Sequence, residues 1–461
     1  MVRPRMHQPC LVILPFLLLL ASIAKAINLD LNSRESILHA ASLTALDVRQ
    51  LYKPTDPGGK IGKFPFPPYY WWESGAAWGA MIEYYHYTGD KTHLNTTLEA
   101  ILSQLGPRYD FELESERFDE GNDDQAFWVF AAMSAAEYSL PQPRAPIPPW
   151  IRIAQNAWES FASRWMLSTG CNGGLKWQFH AENAGWYYKS TISNGCFFQL
   201  SARLARFTGN DTYLHWANRI WDWSEGVGLI DDAYNVYDGT DELINCSAID
   251  HHQWSYNVGV YLYGAASLQN YTRSRLWLNR TLGLLDSVNT FVTPFPNSTN
   301  IIFEAACELN NKCNTDQLSM KAYLARWLAA TCLVAPFTAP RIGEIIRTSA
   351  QGAAASCTGG PYSKTCGSKW FTHKWDGTSG LGQQLAAMEV IYALLVNETD
   401  PPANDLTVKI EPAPSVSLTP TASATPHGTA RPLHDAVEPP AKYKNKIHSF
   451  IAAVVTALAL F

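Results

Sequence analysis

Between residues 27 and about 398 the chain keeps returning to one local pattern: an apolar helix, a glycine stop, and a fresh helix start. Apolar positions recur at helical spacing in Ala76–Tyr85, Ala126–Ala136 and Phe197–Phe207, then in Val258–Leu268, Met320–Val334 and Leu381–Leu395. Strand signals are few, and the intervening stretches are rich in Gly, Pro, Asn and Asp. Two junctions echo each other. Tyr84-Tyr85-His86-Tyr87-Thr88-Gly89-Asp90 precedes a helix with His93 and Leu94, and Arg203-Leu204-Ala205-Arg206-Phe207-Thr208-Gly209-Asn210 precedes one with Tyr213 and Leu214. In each, glycine takes the left-handed backbone that ends a helix, and Asp or Asn caps the next. Roughly twelve helical segments make about six hairpins, which predicts a closed or stacked α–α array. A length of 461 residues would by itself suggest about three domains, but no linker interrupts the chain before residue 398. One helical domain is therefore expected over 27–398.

The two ends read differently. Arg3 and Arg5 precede an apolar run from Leu11 to Ala24, and Ala24-Lys25-Ala26 is a small-x-small cleavage site. Residues 1–26 thus read as a secretory signal peptide; a transmembrane anchor is the competing reading, weakened by the run's shortness and by Pro15. Residues 399–440 are rich in Ser, Thr, Pro and Ala, cannot build a core, and are expected to form a disordered stalk. Residues 441–461 hold a basic spacer with Lys442, Lys444 and Lys446, then an apolar run from Ile447 to Phe461. That run falls short of the about twenty residues of an ordinary span. The pattern is that of a glycosylphosphatidylinositol (GPI) attachment signal, removed on anchoring, with suitable spacing near Asp435 and Ala436. A marginal tail anchor is the alternative.

Secretion agrees with Asn-x-Ser/Thr sequons at Asn95, Asn210, Asn245, Asn270, Asn279, Asn297 and Asn397. Of nine cysteines, Cys10 leaves with the signal. Cys307 with Cys313 and Cys357 with Cys366 close short loops, while Cys171, Cys196, Cys246 and Cys332 allow three pairings. No Cys-x-x-Cys spacing suggests zinc, and a formal charge of −6 without a basic stripe excludes an obvious nucleic-acid surface. No metal and no cofactor is expected.

Gly121-Asn122-Asp123-Asp124-Gln125-Ala126-Phe127-Trp128 sets two adjacent carboxylates beside bulky aromatics. A carboxylate pair is the minimum equipment for splitting a glycosidic bond, one group as nucleophile or base and the other as general acid. Mutual repulsion helps one of them keep its proton near neutral pH. The same residues also fit a helix start, with Asn122 as N-cap and Gln125 at the reciprocal capping-box position. Dense aromatic clusters stand elsewhere, Tyr69-Tyr70-Trp71-Trp72-Glu73-Ser74-Gly75 and Trp254-Ser255-Tyr256-Asn257-Val258-Gly259 among them. Flat rings suit the apolar faces of sugars and nearby amides their hydroxyls, although any single Trp has core packing as its ordinary role. Asp231-Asp232, a second acidic pair, follows a helix in a Gly-containing turn and reads as a loop or subsite feature. His251-His252 has no third ligand at useful spacing and reads as helix-start polarity or sugar contact.

Taken together these segments resemble glycoside hydrolase family 76, in particular its fungal cell-wall branch of GPI-anchored mannan endo-1,6-alpha-mannosidases required for wall assembly. The carrying residues are Tyr69 to Trp78, Gly121 to Trp128, Trp186 to Leu204, Ser255 to Gly259 and Trp375 to Gly382, five segments in order across residues 28–398. The resemblance implies an (α/α)6 barrel of six helical hairpins with a cleft at one end, and retaining chemistry on α-1,6-linked mannose. It makes Asp123 the nucleophile and Asp124 the acid/base, the latter's proton held by Asp123's charge and by burial beside Trp128. Tyr256 and Asn257 become cleft residues, since Ser-Tyr-Asn-Val-Gly stands where bacterial members carry a TYNQG-like motif; the Ser and Val departures put the flanking subsites in doubt. Further substrate-binding candidates are Trp72, Glu73, Trp78, Trp128, Asn194, Lys321 and Trp375, with Glu73 and Lys321 equally readable as an ion pair.

Three functions stay open on these residues. One is hydrolysis of α-1,6-mannan or GPI-anchor mannose. The second is transfer of the same intermediate to a sugar hydroxyl, joining GPI-linked proteins to wall polysaccharide such as a glucan acceptor. The third is a non-catalytic carbohydrate-binding barrel. An isoprenoid cyclase is a more distant fourth, disfavoured because Asp124 is followed by Gln-Ala-Phe rather than by a spaced magnesium motif.

Overall fold

The structure, a computed structural model, describes residues 27–360 and 364–408. The expected signal peptide, GPI segment and most of the stalk lie outside the described residues. Twelve α-helices occur among them: α1 (Arg34–Leu51), α2 (Trp71–Thr88), α3 (Leu94–Leu102), α4 (Asn122–Glu137), α5 (Trp150–Leu167), α6 (Thr191–Thr208), α7 (Asp211–Gly226), α8 (Ser255–Thr272), α9 (Arg275–Ser287), α10 (Met320–Val334), α11 (Ala339–Ser356) and α12 (Leu381–Tyr392). They alternate in character. Every residue of α4 and of α12 is buried, whereas α5 buries one stripe, with Trp150, Ile153, Ala154, Ala157, Trp158, Phe161 and Trp165 on it.

That alternation dictates two concentric layers. The even-numbered helices pack side to side in a closed ring, α2–α4–α6–α8–α10–α12 and back to α2, and the odd-numbered helices cover them from outside. The result is the expected (α/α)6 barrel. Connections from inner to outer helices are short at Gly209–Asn210 and at Arg273–Ser274, while outer-to-inner ones are long, as at 168–190, 227–254 and 357–380. The long connections therefore gather at the end where the inner helices begin. They also hold the five strands, which the sequence did not announce. β1 (Tyr188–Ser190), β2 (Gly239–Asp241) and β3 (Ile249–Asp250) form an antiparallel sheet, and β4 (Val292–Phe295) and β5 (Ser298–Ile302) a hairpin.

The helix stops work as the sequence predicts at Gly89 (φ 74°) and Gly209 (φ 67°), both left-handed. Asn210 caps α7 by accepting from Thr212 N, but Asp90 only turns the chain, accepting from Thr92 N, and α3 waits until Leu94. A third junction of the same kind was hidden, because Arg273 (φ 56°) occupies the left-handed position between α8 and α9.

Buried ions fix the ring, those of Glu137 where α4 and α6 finish and that of Arg326 midway along α10. Glu137 of α4 pairs with Arg203 (2.6 Å) and Arg206 (3.0 Å) of α6, and Arg326 of α10 with Glu389 of α12 (2.6 Å). The fold also runs past the expected boundary at 398. Arg206 donates to the carbonyls of Pro402 (2.9 Å) and Ala403 (2.8 Å), Ala403 N donates to Glu137 O, and Asp405 N to Phe207 O. The polar composition of 399–408 concealed this because the segment is held by its backbone.

Three disulfides form among the described residues: Cys307–Cys313, Cys357–Cys366 and Cys171–Cys246. The four cysteines left open by the sequence thus make one bridge, and Cys196 and Cys332 stay as buried thiols on inner helices.

Candidate active site

The start of α4 is the centre of the open end. Its N-cap is Gly121, one residue earlier than expected, and the reciprocal position falls on Asp124, whose Oδ2 accepts from Gly121 N at 2.5 Å. Glycine is required there: an added Cβ would lie 2.9 Å from both Trp177 O and Asp124 Oδ2. Asn122 and Gln125, the residues first read as the cap pair, instead tie the helix to its surroundings. Both accept from Arg164, Asn122 Nδ2 donates to Lys176 O (2.9 Å), and Gln125 Nε2 donates to Asp110 O (2.6 Å). Capping and a chemical role are thus not alternatives, since Asp124 serves as cap while facing its neighbour.

The two carboxylates receive different support. Asp123 Oδ1 accepts from Ser193 Oγ (2.9 Å) at the start of α6, and Oδ2 from Trp177 Nε1 (3.2 Å) on the α5–α6 connection. Burial pushes its carboxyl up to about 6, held from going further by those donors. Asp124 is raised well above the usual carboxylate range, first by burial, then by the charge of Asp123, with lesser contributions from Asp316 and Glu120. Burial and the charge of Asp123 are therefore the main causes that keep its proton. Of the pair, Asp123 ionises first.

More acids surround them. Asp238 accepts from Tyr188 Oη at 2.6 Å, and burial raises its carboxyl; its charge acts on Asp123. Burial likewise raises Asp316, and burial together with Asp316 pushes Glu73 up to about 8. A pocket is lined by Asp238 together with Asp250, His252, Trp254, Lys312 and Gln317.

The sequence candidates divide. Tyr256, at the start of α8, has its phenol raised first by burial and then by the charges of Asp238 and Asp123. Asn257 is fully buried with neither amide atom partnered by protein. Trp72 packs on Phe127 (4.9 Å) and Tyr323 (5.8 Å), and Glu73 accepts from Tyr70 N at 3.1 Å, both at the start of α2.

The rest have other work. Trp78 is core, its N–H on Gly62 O at 2.7 Å. Trp128 is core too, sandwiched by Trp71 (5.4 Å) and Phe111 (6.0 Å). Asn194 spends its amide on Leu175 N (2.7 Å), Leu175 O (3.0 Å) and Ser190 O (2.8 Å), which leaves it no group for a ligand. Lys321 pairs with Glu308 at 2.6 Å and lies over the Trp370 ring, so the suggested Glu73–Lys321 ion pair does not form. Trp375 sits exposed on the 357–380 connection, its N–H on Thr378 O. Asp231 is a turn former, accepting from the N–H groups of Ala233 and Asn235 and from Tyr237 Oη. His252 lies on Asp250 (2.6 Å) in the segment before α8 rather than on a helix, and lines the pocket.

Ser193, Trp177, Asp238 and Asp316 were missed by sequence reasoning. Ser193 lies within the Trp186–Leu204 segment that carries the resemblance; the others stand in loops with no periodic signal.

Comparison with known proteins agrees with this architecture. The profile of glycosyl hydrolase family 76 matches residues 36–405. The mannan endo-1,6-alpha-mannosidase DCW1 of Eremothecium gossypii is 43% identical over 388 residues, 83% of this chain and 84% of its own. The mannan endo-1,6-alpha-mannosidase DFG5 of Saccharomyces cerevisiae is 38% identical over 380 residues, 82% of each. Among solved structures, Dfg5 from Chaetomium thermophilum in complex with glucosamine superposes with a TM-score of 0.79 at 38% identity, covering 84% of this chain and 96% of that one. The GH76A alpha-1,6-mannanase of Salegentibacter sp. HEL1_6 shares the fold, with a TM-score of 0.60 at 20% identity, over 77% and 98% of the two chains.

Proposed function

The chain belongs to glycosyl hydrolase family 76, and on that premise we propose that it is a retaining endo-acting α-1,6-mannosidase of the fungal cell surface, working on wall mannan or on GPI-anchor mannose. The observation that carries this reading is the unequal support of two neighbouring buried carboxyls. Such a pair, its members pushed apart in acidity, is what acid–base division requires. Relatives of 43% and 38% identity bear the name mannan endo-1,6-alpha-mannosidase, which supports the substrate class.

In the proposed reaction Asp123, oriented by Ser193 and Trp177, attacks the anomeric carbon of a mannosyl unit. The bond from that carbon to O6 of the next sugar breaks, and Asp124 gives its proton to the departing oxygen. A covalent mannosyl-Asp123 ester remains. Asp124, now ionised, takes a proton from the incoming acceptor, whose oxygen displaces Asp123 with a second inversion and so restores the α configuration. The unpartnered side-chain amide of Asn257 supports a polar contact with the substrate, with Tyr256 beside it in sequence, and the start of α4 favours the ionised form of Asp123. The signal peptide and the GPI signal expected from the sequence support secretion and anchoring.

One observation favours transfer over hydrolysis as a second reading. Asp123 and Asp124 are each about 9% exposed beneath the long connections, so a sugar hydroxyl bound there competes with little bulk water. The test is incubation of the secreted protein with α-1,6-mannotetraose, with and without oligosaccharide acceptors, read by mass spectrometry. Shortened donor is expected from the natural protein and none from Asp123→Asn or Asp124→Asn; elongated products would favour transfer. Binding without turnover, equal in all three proteins, would leave a non-catalytic carbohydrate-binding barrel.

A further inference from the structure

Most tryptophans of this chain are core residues, and Trp78 and Trp128 are wholly buried. Trp177 differs. It is 37% exposed, yet its N–H donates to the buried carboxylate of Asp123. The backbone around it is fixed from both sides: Trp177 N donates to Tyr188 O (2.6 Å), Asn122 N donates to Trp177 O (2.8 Å), and Asn194 clamps Leu175 two residues earlier. The benzo edge of the indole meets Gly185, where an added Cβ would fall 2.4 Å from Cε3 and 2.7 Å from Cζ3 of the ring. With that side filled by backbone, the exposure belongs to the rest of the ring, at the edge of the reaction centre. An indole left open to water costs apolar exposure that the neighbouring core tryptophans avoid. Open aromatic surface beside catalytic carboxylates is suited to the C–H-bearing face of a sugar ring.

We propose that Trp177 serves the reaction twice, its N–H orienting the Asp123 carboxylate and its open surface stacking on a pyranose ring of the bound mannoside, with Gly185 as the seat that holds the indole in place. The stacking half rests on the mannoside reading given above; the positioning half does not. One residue thereby couples occupancy of the cleft to the geometry of the nucleophile, because any shift of the ring on binding moves the N–H that Asp123 accepts.

The two halves separate experimentally. In free protein carrying 15N-tryptophan, with the signal assigned through Trp177→Phe, the Trp177 indole N–H resonance should titrate with Asp123 and stop titrating in Asp123→Asn. A Trp177 signal that ignores Asp123 would overturn the positioning half. In a turnover-dead Asp124→Asn background, Trp177→Ala should weaken α-1,6-mannotriose binding roughly tenfold, and Trp177→Phe, which keeps a ring, less than about threefold. Unchanged affinity in Trp177→Ala would overturn the stacking half. No mannotriose binding by the Asp124→Asn protein itself would overturn the mannoside reading and the stacking with it, while the N–H titration still decides the positioning half. In the active enzyme, Trp177→Phe should also lower kcat more than it raises KM and move the acid limb of the pH profile upward, since a donor to the ionised carboxylate is lost.

Discussion

Single donors decide which of two chemically identical side chains does which job. Asp123 has Ser193 and Trp177 to stabilise its charge, whereas Asp124 has one backbone N–H and lies in the field of Asp123, Asp316 and Glu120. The sign of the pH dependence follows. The proposed reaction needs Asp123 ionised, so kcat/KM should fall as pH drops through about 6. It also needs Asp124 protonated, so a second limb should descend on the alkaline side. In Asp124→Asn assayed with an activated aryl mannoside, which needs no acid, the alkaline limb should vanish and the acid limb should stay. Loss of the acid limb instead would reverse the assignment. Sequence alone revealed the carboxylate pair because both members sit in one short motif. Trp177 and Ser193 lie 54 and 70 residues further along the chain, and nothing in their local pattern points back to Asp123. Conversely Trp78, Trp128, Asn194 and Lys321 had the right chemistry for sugar contacts, but burial and saturated partners give them to the scaffold.

Elements were easier to read than their ends. The apolar stripes and the Thr-Gly stops fixed where inner helices close, because a left-handed glycine is a backbone requirement visible in one letter. Arg273 in the same conformation gave no such signal, and the α4 cap slipped by one residue because Gly, Asn and Asp all suit an N-cap. The short bridges Cys307–Cys313 and Cys357–Cys366 were legible, but the pairing of Cys171, Cys196, Cys246 and Cys332 was beyond the sequence, since it depends on which long connections meet. The Cys171–Cys246 bridge joins the α5–α6 connection, which carries Trp177, to the α7–α8 connection, which carries Asp238. Closing a span of 75 residues is worth about 4 kcal/mol in the chain-entropy view. Cys171→Ser with Cys246→Ser should therefore lower the urea midpoint and also weaken catalysis, by loosening both walls of the cleft. A variant with the natural midpoint and natural kcat/KM would show that the bridge does neither.

Across the whole molecule, the closed ring of inner helices puts six helix starts, the long connections and the acidic cluster at one end, and the pairs of Glu137 with Arg203 and Arg206 at the other. The segment 399–408 belongs to the second end through Arg206, Glu137 and Phe207. A chain ending at 398 should consequently melt several degrees lower than one ending at 408, because Arg206 and the Glu137 carbonyl lose partners where water enters poorly. Equal melting temperatures would reduce the segment to an ornament of the surface. The central claim, a covalent mannosyl intermediate on Asp123, is tested most directly by intact-protein mass spectrometry after incubation with a 2-fluoro mannosyl donor, followed by peptide mapping. A single mannosyl adduct on Asp123, absent from Asp123→Asn, is the predicted result. An adduct on Asp124, or turnover to a product of inverted configuration with no adduct at all, would contradict it.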